Sequence, residues 1–364
     1  MKSTENDHSW LSSKVPEIEN LSIVLKTLGF LLDEKQPHLS GERYLMTKEK
    51  LVLAGKHIAS GEHVIIKASR HPSGIQEIVT EKRSRDLLNS LSFAKKVLVF
   101  PTEIYYGQHN DTTVWITSYI TQDKVFVAHS LEEQFFLTLR TFEAQEAFHA
   151  TTFEHFRSVK NTFPILRGAE YIKKFENFKS KIESNFPNDP LRAALEKADT
   201  FLRSQKPIMD QYANHLVHQD FVPHNFRVKN REVFLLDCSS VYFGNKYEGW
   251  ARFLNYMVIH SPELEKLLVT YIRKNRGPDE YLCLRLMRVY KVCELLEYYT
   301  RSLAKTSGDL HDLTLTRIGF WQEVMLSLLA DKPLSKEIVD QYKETRDMLR
   351  SPEEKERQRE FAVA

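Results

Sequence analysis

Several side chains that can bind a metal or accept a proton lie together in the segment His215–Ser240, which reads HLVHQDFVPHNFRVKNREVFLLDCSS. In it His218, Asp220 and Asn225 stand at the spacing H-x-D-x-x-x-x-N, and Asp237 ends the apolar run VFLLD. Magnesium prefers hard oxygen ligands such as carboxylates and amide carbonyls. An aspartate on a rigid loop can orient a hydroxyl group and accept its proton. Residues of these types suit phosphoryl transfer, which needs both functions.

The spacing matches the loop H-R-D-x-x-x-x-N, which carries the catalytic aspartate of protein kinases. After this loop the runs FRV and VFLLD indicate two short strands joined by the turn KNRE. Asp220 is therefore the candidate catalytic base, and Asn225 and Asp237 are the candidate magnesium ligands. The alternative is a polar turn in a helical protein, which the features upstream in the chain disfavour.

A lysine inside an apolar run is the main upstream feature. Lys67 lies in HVIIKAS, where it is either a solvating charge on an edge strand or the ammonium group that binds the α- and β-phosphates of a nucleotide. Such a lysine needs a carboxylate partner on the next helix. Glu77 and Glu81 both lie there, one turn apart, and Glu81 has the better spacing from Lys67.

The first third of the chain predicts a sheet with one inserted helix. A short helix with Pro16 at its first position precedes three antiparallel strands in Gly41–Ser69, with turns at TKEK and ASGE. Ser73 and Gln76 have the spacing of a capping box at the start of a helix. The runs KKVLVFPTEIYYGQ and DTTVWITSYITQ alternate in the manner of two further strands.

Beyond Gln122 the apolar residues recur mainly at helical spacing. The fold class is therefore α+β, with two lobes: an antiparallel five-stranded sheet with one helix, followed by a mainly helical lobe. The expected division is an N-terminal leader and helix at 1–35, a nucleotide-binding lobe at 36–121, a helical lobe with the catalytic loop and acceptor site at 122–350, and a charged tail at 351–364.

Composition excludes several other classes of protein. In 364 residues, 51 Lys and Arg nearly balance 49 Asp and Glu, so the charge predicts no nucleic-acid or membrane-surface partner. The three cysteines lack C-x-x-C spacing, which disfavours a disulfide framework or zinc site. No signal core or apolar run of membrane-spanning length is present, and we expect a cytoplasmic protein without a membrane partner.

The combined pattern resembles the aminoglycoside phosphotransferase and choline kinase superfamily, whose members are small-molecule kinases with a protein-kinase-like fold. The resemblance spans roughly Gly41 to Leu349 and rests on VIIK, the helix with Glu81, WITSYI, EAFH near His149, HQDFVPHN and LLD. In that family the loop usually reads H-G-D-x-x-P-x-N. HQDFVPHN keeps the His, Asp, Pro and Asn in register.

The resemblance implies ATP or another nucleoside triphosphate and Mg²⁺ as cofactors, and a role for each matching residue. The implied roles are catalytic aspartate for Asp220, magnesium ligands for Asn225 and Asp237, phosphate-anchoring pair for Lys67 and Glu81, backbone contacts to adenine near Ser118, Tyr119 and Ile120, and a structural role for His218.

Three positions depart from the family pattern. The turn MTKEK, expected to cover the nucleotide, has no glycine, which makes close approach of its backbone to phosphates less easy. CSS follows Asp237 where an aromatic residue is common. Glu248 stands where the family often has an aspartate.

The sequence thus favours transfer of a γ-phosphate to a hydroxyl of an unidentified small molecule. The alternative is a kinase-like regulatory module that binds nucleotide without turnover. A protein kinase is less consistent, because no A-P-E segment or activation loop follows Asp237. The acceptor is expected at the helices after Tyr247, whose acidic residues either face a cationic substrate or form the solvated face.

Overall fold

A computed structural model of the chain describes residues 5–34, 36, 49–91, 98–122, 124–352 and 354–355. In these residues the strands are β1 Phe30–Leu32, β2 Leu51–His57, β3 His63–Ser69, β4 Leu98–Val99, β5 Glu103–His109, β6 Thr112–Ser118, β7 His215–His218, β8 Phe226–Lys229, β9 Glu232–Leu235 and β10 Val241–Gly244. The α-helices in the same ranges are α1 Glu5–Thr27, α2 Pro72–Ser90, α3 Leu131–Glu154, α4 Phe156–Val159, α5 Gly168–Asn185, α6 Asp189–Ser204, α7 Lys206–Gln211, α8 Glu248–His260, α9 Pro262–Asn275, α10 Pro278–Ser302, α11 Gly308–Leu329 and α12 Lys336–Leu349.

The N-terminal lobe is a five-stranded antiparallel sheet in the order β1-β2-β3-β6-β5. Alternate residues of β2 are buried, as the alternating sequence predicts, and Leu51 and Leu53 pack with Val64 and Ile66 of β3. The five strands and the inserted helix confirm the predicted sheet and the α+β class. The central position of β3 carries Lys67 into the interior of the lobe.

The start of the sheet differs from the expectation. Helix α1 begins at Glu5, so Pro16 lies inside it and not at its first position. The first strand is Phe30–Leu32, within the segment expected to be a leader, because Gly29 adopts φ +86° and turns the chain back against β2. The strand and the MTKEK turn expected between Gly41 and Lys50 lie largely outside the described residues.

Helix α2 follows β3 as predicted, but without the predicted capping box. Its N-cap residue is His71, which makes no side-chain capping hydrogen bond, and the Ser73 hydroxyl donates to Glu49 instead. The carboxylate competes for the hydroxyl that the capping box would use. The helix buries Glu81 against the sheet, and Leu88 joins the core of the C-terminal lobe.

The C-terminal lobe is a helical core around α10, which packs against α5, α8 and α11. Phe142 of α3 stacks on Trp250 of α8, with ring centroids 4.0 Å apart, and meets Phe253 edge-on. All three rings belong to the same core. The predicted hairpin β8–β9 lies at the edge of this core, with Asn230 and Arg231 at positive φ in its turn. The helical lobe with an embedded hairpin matches the prediction.

No helix in the described ranges is long and apolar enough to cross a membrane. Cys238, Cys283 and Cys293 are free and buried.

Candidate active site

The loop that carries Asp220 is held by a strand pair on one side and a short helical turn on the other. β7 pairs with β10, and the Gln219 amide donates to the Ser240 carbonyl at 3.0 Å. A 3-10 turn at Pro223–Asn225 follows, and the Leu236 amide donates to the Asn225 carbonyl at 2.9 Å. The loop and the segment that leads to Asp237 are therefore fixed to each other by backbone hydrogen bonds.

His218 adds a side-chain link between these two segments. Its Nε2 lies 2.6 Å from the backbone carbonyl oxygen of Asp237, and the residue is buried. Because a carbonyl oxygen only accepts, Nε2 must carry the proton of this hydrogen bond. The geometry fits a residue that orders the loop.

Asp220 lies at the opening of the cleft, with its side chain 43% exposed and both oxygens engaged. Arg252 Nε of α8 donates to Oδ1 at 2.7 Å, and the Asn225 amide nitrogen donates to Oδ2 at 2.9 Å. Burial acts to raise the pKa of Asp220, but the adjacent Arg252 guanidinium outweighs it and holds this pKa well below the usual range. The carboxylate is thus ionised and oriented at neutral pH.

Asp237 lies two residues beyond the end of β9 and is partly buried. Its Oδ1 accepts a hydrogen bond from the Ser239 amide at 2.7 Å. Burial acts to raise its pKa, and the ammonium groups of Lys67 and Lys50 lower the pKa more strongly, to about 2. A carboxylate that is charged, oriented and near two cations is suited to a site for metal-bound phosphate.

The oxygen atoms available here fit a magnesium ion. Within the described residues, the Ser239 amide binds Asp237 at Oδ1, and Asn225 binds Asp220 through its amide nitrogen and not through Oδ1. The same ranges contain no group of three or more His, Cys, Asp or Glu that could hold a metal. A magnesium ion would therefore take one carboxylate and one amide oxygen, and complete its shell with phosphate and water.

Lys67 reaches into the same cleft from the sheet. Its ammonium group forms a buried ion pair with Glu81, lies 3.4 Å from the Leu236 carbonyl oxygen and sits 5.3 Å from the Trp115 ring centroid. Burial raises the pKa of Glu81. The carboxylate holds the lysine inside the lobe and directs it toward the segment that carries Asp237. Of the two partners considered, the structure pairs Lys67 with Glu81.

A second lysine, Lys50, was not among the sequence candidates. It precedes β2, and its ammonium lies 2.6 Å from Glu77 and 3.9 Å from Glu81, with its side chain 10% exposed. Burial acts to lower its pKa, but Glu81, Asp237 and Glu77 raise it above its usual value. The sequence feature that could have indicated Lys50 is its position directly before the apolar run LVLAG, in the segment MTKEK, which has no glycine.

The segment expected to meet adenine has fewer free backbone groups than expected. The Ser118 amide donates to the Thr102 carbonyl at 2.9 Å, and the Tyr119 amide donates to the His63 carbonyl at 3.1 Å. Both amides are therefore used inside the sheet. Within the described residues the Ile120 amide makes no hydrogen bond, which leaves it as the amide of the three that can meet a base.

The departure at Glu248 is explained by its place at the start of α8. Glu248 is fully buried, accepts hydrogen bonds from the Tyr171 and Tyr242 hydroxyls, and lies 3.5 Å from Lys291. It braces the core and does not face the cleft. Arg252, one turn later, was missed because an arginine in an amphipathic helix carries no motif of its own.

Three acidic residues of the later helices are paired with cations of the helical lobe. Glu265 pairs with Arg288, Glu280 pairs with Lys246, and Glu294 pairs with Lys291. These contacts neutralise the carboxylates inside the helical lobe. The expectation that they face a cationic substrate gains no support from their positions.

Comparison with known proteins gives the fold. No protein-family model and no curated protein matches the chain. Solved structures do match: ADP-bound aminoglycoside phosphotransferase APH(2'')-Ib, at 12% identity over 86% of this chain and 99% of that one, has a TM-score of 0.55. The GDP complex of aminoglycoside 2'-phosphotransferase-IIIa, at 13% identity over 87% and 99%, has a TM-score of 0.56. Macrolide 2'-phosphotransferase type I, at 15% over 84% and 97%, also has 0.56.

These matches confirm the predicted two-lobed kinase-like fold and the resemblance to aminoglycoside phosphotransferases. At these identities the likeness establishes the fold, and the chemistry has to be argued from the residues of the cleft.

Proposed function

We propose that this protein is a phosphotransferase that uses ATP or another nucleoside triphosphate, with Mg²⁺, to phosphorylate a hydroxyl group of a small molecule. One observation carries the proposal. The Lys67–Glu81 pair of the sheet lobe lies against the Leu236 carbonyl, directly before Asp237, while His218 binds the Asp237 carbonyl from the loop that presents Asp220. The groups that bind phosphate, metal and acceptor thus converge from separate elements on one cleft.

Each side chain has a role that follows from its surroundings. Lys67 binds nucleotide phosphates, and Glu81 holds its ammonium in place. Asn225 and Asp237 supply oxygen ligands to magnesium, which when bound neutralises charge on the phosphate oxygens. Backbone groups near Ser118, Tyr119 and Ile120 would bind the base, with the Ile120 amide as the donor that makes no other hydrogen bond in the described residues.

Asp220 orients the acceptor hydroxyl and takes its proton. Its low pKa means that it is a weak base at neutral pH, so the proton moves late, when the oxygen already bonds to phosphorus. A loose transition state for phosphoryl transfer tolerates such late movement, because little nucleophile activation is needed. Asp220 therefore orients the hydroxyl and also accepts its proton as the bond to phosphorus forms.

A small acceptor suits the segment after Asp237. The chain enters β10 at Val241 and α8 at Glu248, and β10 is paired with β7. This leaves no long loop at the position where an activation loop would bind a peptide.

The substitution Asp220→Asn tests the proposal. The amide retains hydrogen-bonding capacity but cannot take a proton, so we expect kcat to fall by about two to four powers of ten, with ATP affinity nearly unchanged. The rate is measured as acceptor-dependent ADP release, after a screen of small hydroxylated compounds. Nucleotide affinity is measured by calorimetry on the same folded variant.

Two results would count against the proposal. Near-normal turnover by Asp220→Asn would refute the role of Asp220. Nucleotide binding by the parent protein without ADP release for any hydroxylated acceptor would favour the alternative, a kinase-like regulatory module without turnover.

A further inference from the structure

Next to the catalytic loop, the helical lobe holds buried arginine side chains that the proposed chemistry does not yet use. Arg346 lies in the last turn of α12 and Arg350 is the residue that caps its C-terminus; their side chains are 7% and 10% exposed, and both approach the exposed Asp347 carboxylate, at 2.8 and 3.8 Å. Arg317 of the adjacent α11 is also buried. We call Arg317, Arg346 and Arg350 the arginine cluster.

Tyr256 connects this cluster to the catalytic loop. It follows Arg252 by one turn of α8, and Arg252 is the residue bonded to Asp220. The Tyr256 ring packs edge-on against His224 of the loop, at 5.5 Å between centroids, and stacks on His260 at 4.1 Å. Tyr256 thus lies between Arg252, which binds Asp220, and the cluster residues Arg346 and Arg350, all of which act on its hydroxyl.

Two buried polar atoms in this region lack a partner. The Tyr256 hydroxyl and Arg350 Nε are both inaccessible, and neither makes a hydrogen bond within the described residues. A buried donor without an acceptor is unfavourable, and each such group requires an explanation. An oxygen-rich ligand that accepts hydrogen bonds from both would supply it.

The surrounding charges favour an anion. Burial lowers the pKa of Arg350, and Arg346 and Arg317 lower it further, while Glu354 acts in the opposite direction. Burial also keeps the pKa of His260 well below its usual value, so this ring is neutral. Of the other nearby cations, Lys343 acts on His260, and Lys291 is paired with Glu248 and Glu294. Among the described residues that act on Arg346 and Arg350, the acids are Asp347 and Glu354, two negative charges beside the three positive charges of the cluster.

We propose that the arginine cluster binds an anionic group of the acceptor, a carboxylate or a phosphate, so that the substrate is a negatively charged, hydroxylated small molecule. This rests on the proposed phosphotransferase function and specifies its acceptor. Guanidinium groups match the planar, bidentate geometry of these anions, and the Tyr256 hydroxyl adds a neutral donor. The anion would hold the acceptor so that its hydroxyl reaches Asp220.

Binding of inorganic phosphate to the protein saturated with Mg·AMP-PNP tests the site, because the nucleotide occupies the phosphate-binding groups around Lys67. We expect Arg350→Gln to weaken phosphate binding about tenfold or more and Tyr256→Phe severalfold, since charge-assisted hydrogen bonds are the stronger ones. The matched control Arg192→Gln changes an exposed arginine of α6 that pairs with Asp189, and should have no effect.

A second measurement separates this inference from the proposed function. In Lys67→Met without nucleotide, phosphate should still bind and should still be lost on adding Arg350→Gln. Absence of phosphate binding, or equal binding by the parent, Arg350→Gln and Tyr256→Phe, overturns the inference. If a thermal unfolding control shows that Arg350→Gln does not fold, the phosphate affinity of Tyr256→Phe, which removes one hydroxyl, tests the inference in its place.

Tests with different acceptors distinguish a phosphate from a carboxylate group, and an anionic from a cationic acceptor. Glycerol 3-phosphate and glycerate are compared with streptomycin, a cationic compound, in the ADP-release assay. Turnover of one of the first two, with KM raised by Arg350→Gln, supports the inference and identifies phosphate or carboxylate as the preferred group. Turnover of streptomycin alone would overturn it and leave the phosphotransferase function intact.

Discussion

At the residue scale, the site depends on cations that keep its carboxylates charged. Arg252 lowers the pKa of Asp220, and Lys67 and Lys50 lower the pKa of Asp237 to about 2. Each carboxylate thus remains charged at neutral pH, as the proposed roles require. In the proposed function the two lysines would supply positive charge to the nucleotide phosphates.

Lys50 should contribute to nucleotide binding. Its ammonium lies near Glu81 and Asp237 and can move to the phosphates, so Lys50→Met should weaken Mg·ATP binding about tenfold, as expected for loss of a charge-assisted hydrogen bond. Calorimetry measures the affinity. Lys56→Met, which changes an exposed lysine of β2, is the matched control. Equal affinities for the two variants would show that Lys50 only braces Glu77.

Arg252 should set the acid limit of activity. In the parent protein the low pKa of Asp220 keeps its carboxylate ionised well below the pH at which a free carboxyl group is protonated. The stability that the Asp220–Arg252 pair contributes is therefore complete above the pKa of Asp220 in the unfolded chain, and it is lost as the pH falls toward the lower pKa of the folded state. In Arg252→Gln burial remains while the guanidinium is gone, and the pKa of Asp220 must rise. The acid limb of the kcat–pH profile should move upward by about one to three pH units.

The control is Arg252→Lys, which keeps a positive charge and should shift the limb less. An unchanged acid limb in Arg252→Gln would mean that Asp220 is not the group whose ionisation limits turnover.

At the scale of elements, helix α8 connects the core of the helical lobe to Asp220. Glu248, Arg252, Tyr256 and His260 follow one another at four-residue spacing and therefore share one face of the helix. Glu248 is anchored by the Tyr171 and Tyr242 hydroxyls, and Arg252 binds Asp220. The position of the Asp220 carboxylate thus depends on how the buried hydrogen bonds of Glu248 hold α8.

Removing the Glu248 carboxylate should therefore destabilise the protein. Glu248→Ala leaves Lys291 and two buried hydroxyls without that acceptor, and we expect a loss of about 3–5 kcal/mol in the free energy of unfolding. Urea unfolding measures it. Glu263→Ala, in the first turn of α9 at the surface, is the control and should change stability by less than about 0.5 kcal/mol. A comparably small loss for Glu248→Ala would contradict this account of α8.

At the scale of the whole molecule, the two lobes share structure as well as a cleft. β4, which lies between α2 and β5 in the chain, pairs in parallel with β9 of the helical lobe, and Lys67 reaches the Leu236 carbonyl. A nucleotide in the cleft would contact both lobes at once. Its binding should therefore stabilise the whole molecule.

Mg·AMP-PNP at about 100 times its dissociation constant should add about 2.7 kcal/mol to the free energy of unfolding. In the parent protein AMP-PNP should raise Tm more with magnesium than without it. In Asp237→Ala, which lacks the carboxylate ligand, magnesium should make no difference to the rise in Tm. Differential scanning calorimetry with and without magnesium measures both. A magnesium-dependent rise that persists unchanged in Asp237→Ala would exclude Asp237 as a ligand.

The sequence by itself determined the features that depend on local spacing. The H-x-D-x-x-x-x-N loop, the lysine inside β3, the glutamate of α2 and the alternating strands are each readable within about twenty residues, since strand and helix periods are fixed by backbone geometry. The sequence alone therefore predicts Asp220 and Asn225 on a loop and Asp237 at the end of a strand.

Only the tertiary structure decided which groups meet across distant segments. Arg252 contacts Asp220 from 32 positions away, and Lys50 reaches Glu77 across 27. The Ser118 and Tyr119 amides proved to be used by neighbouring strands, which no pattern of side chains reveals. Contacts of this kind depend on how whole elements pack, because packing brings together residues whose types carry no shared spacing.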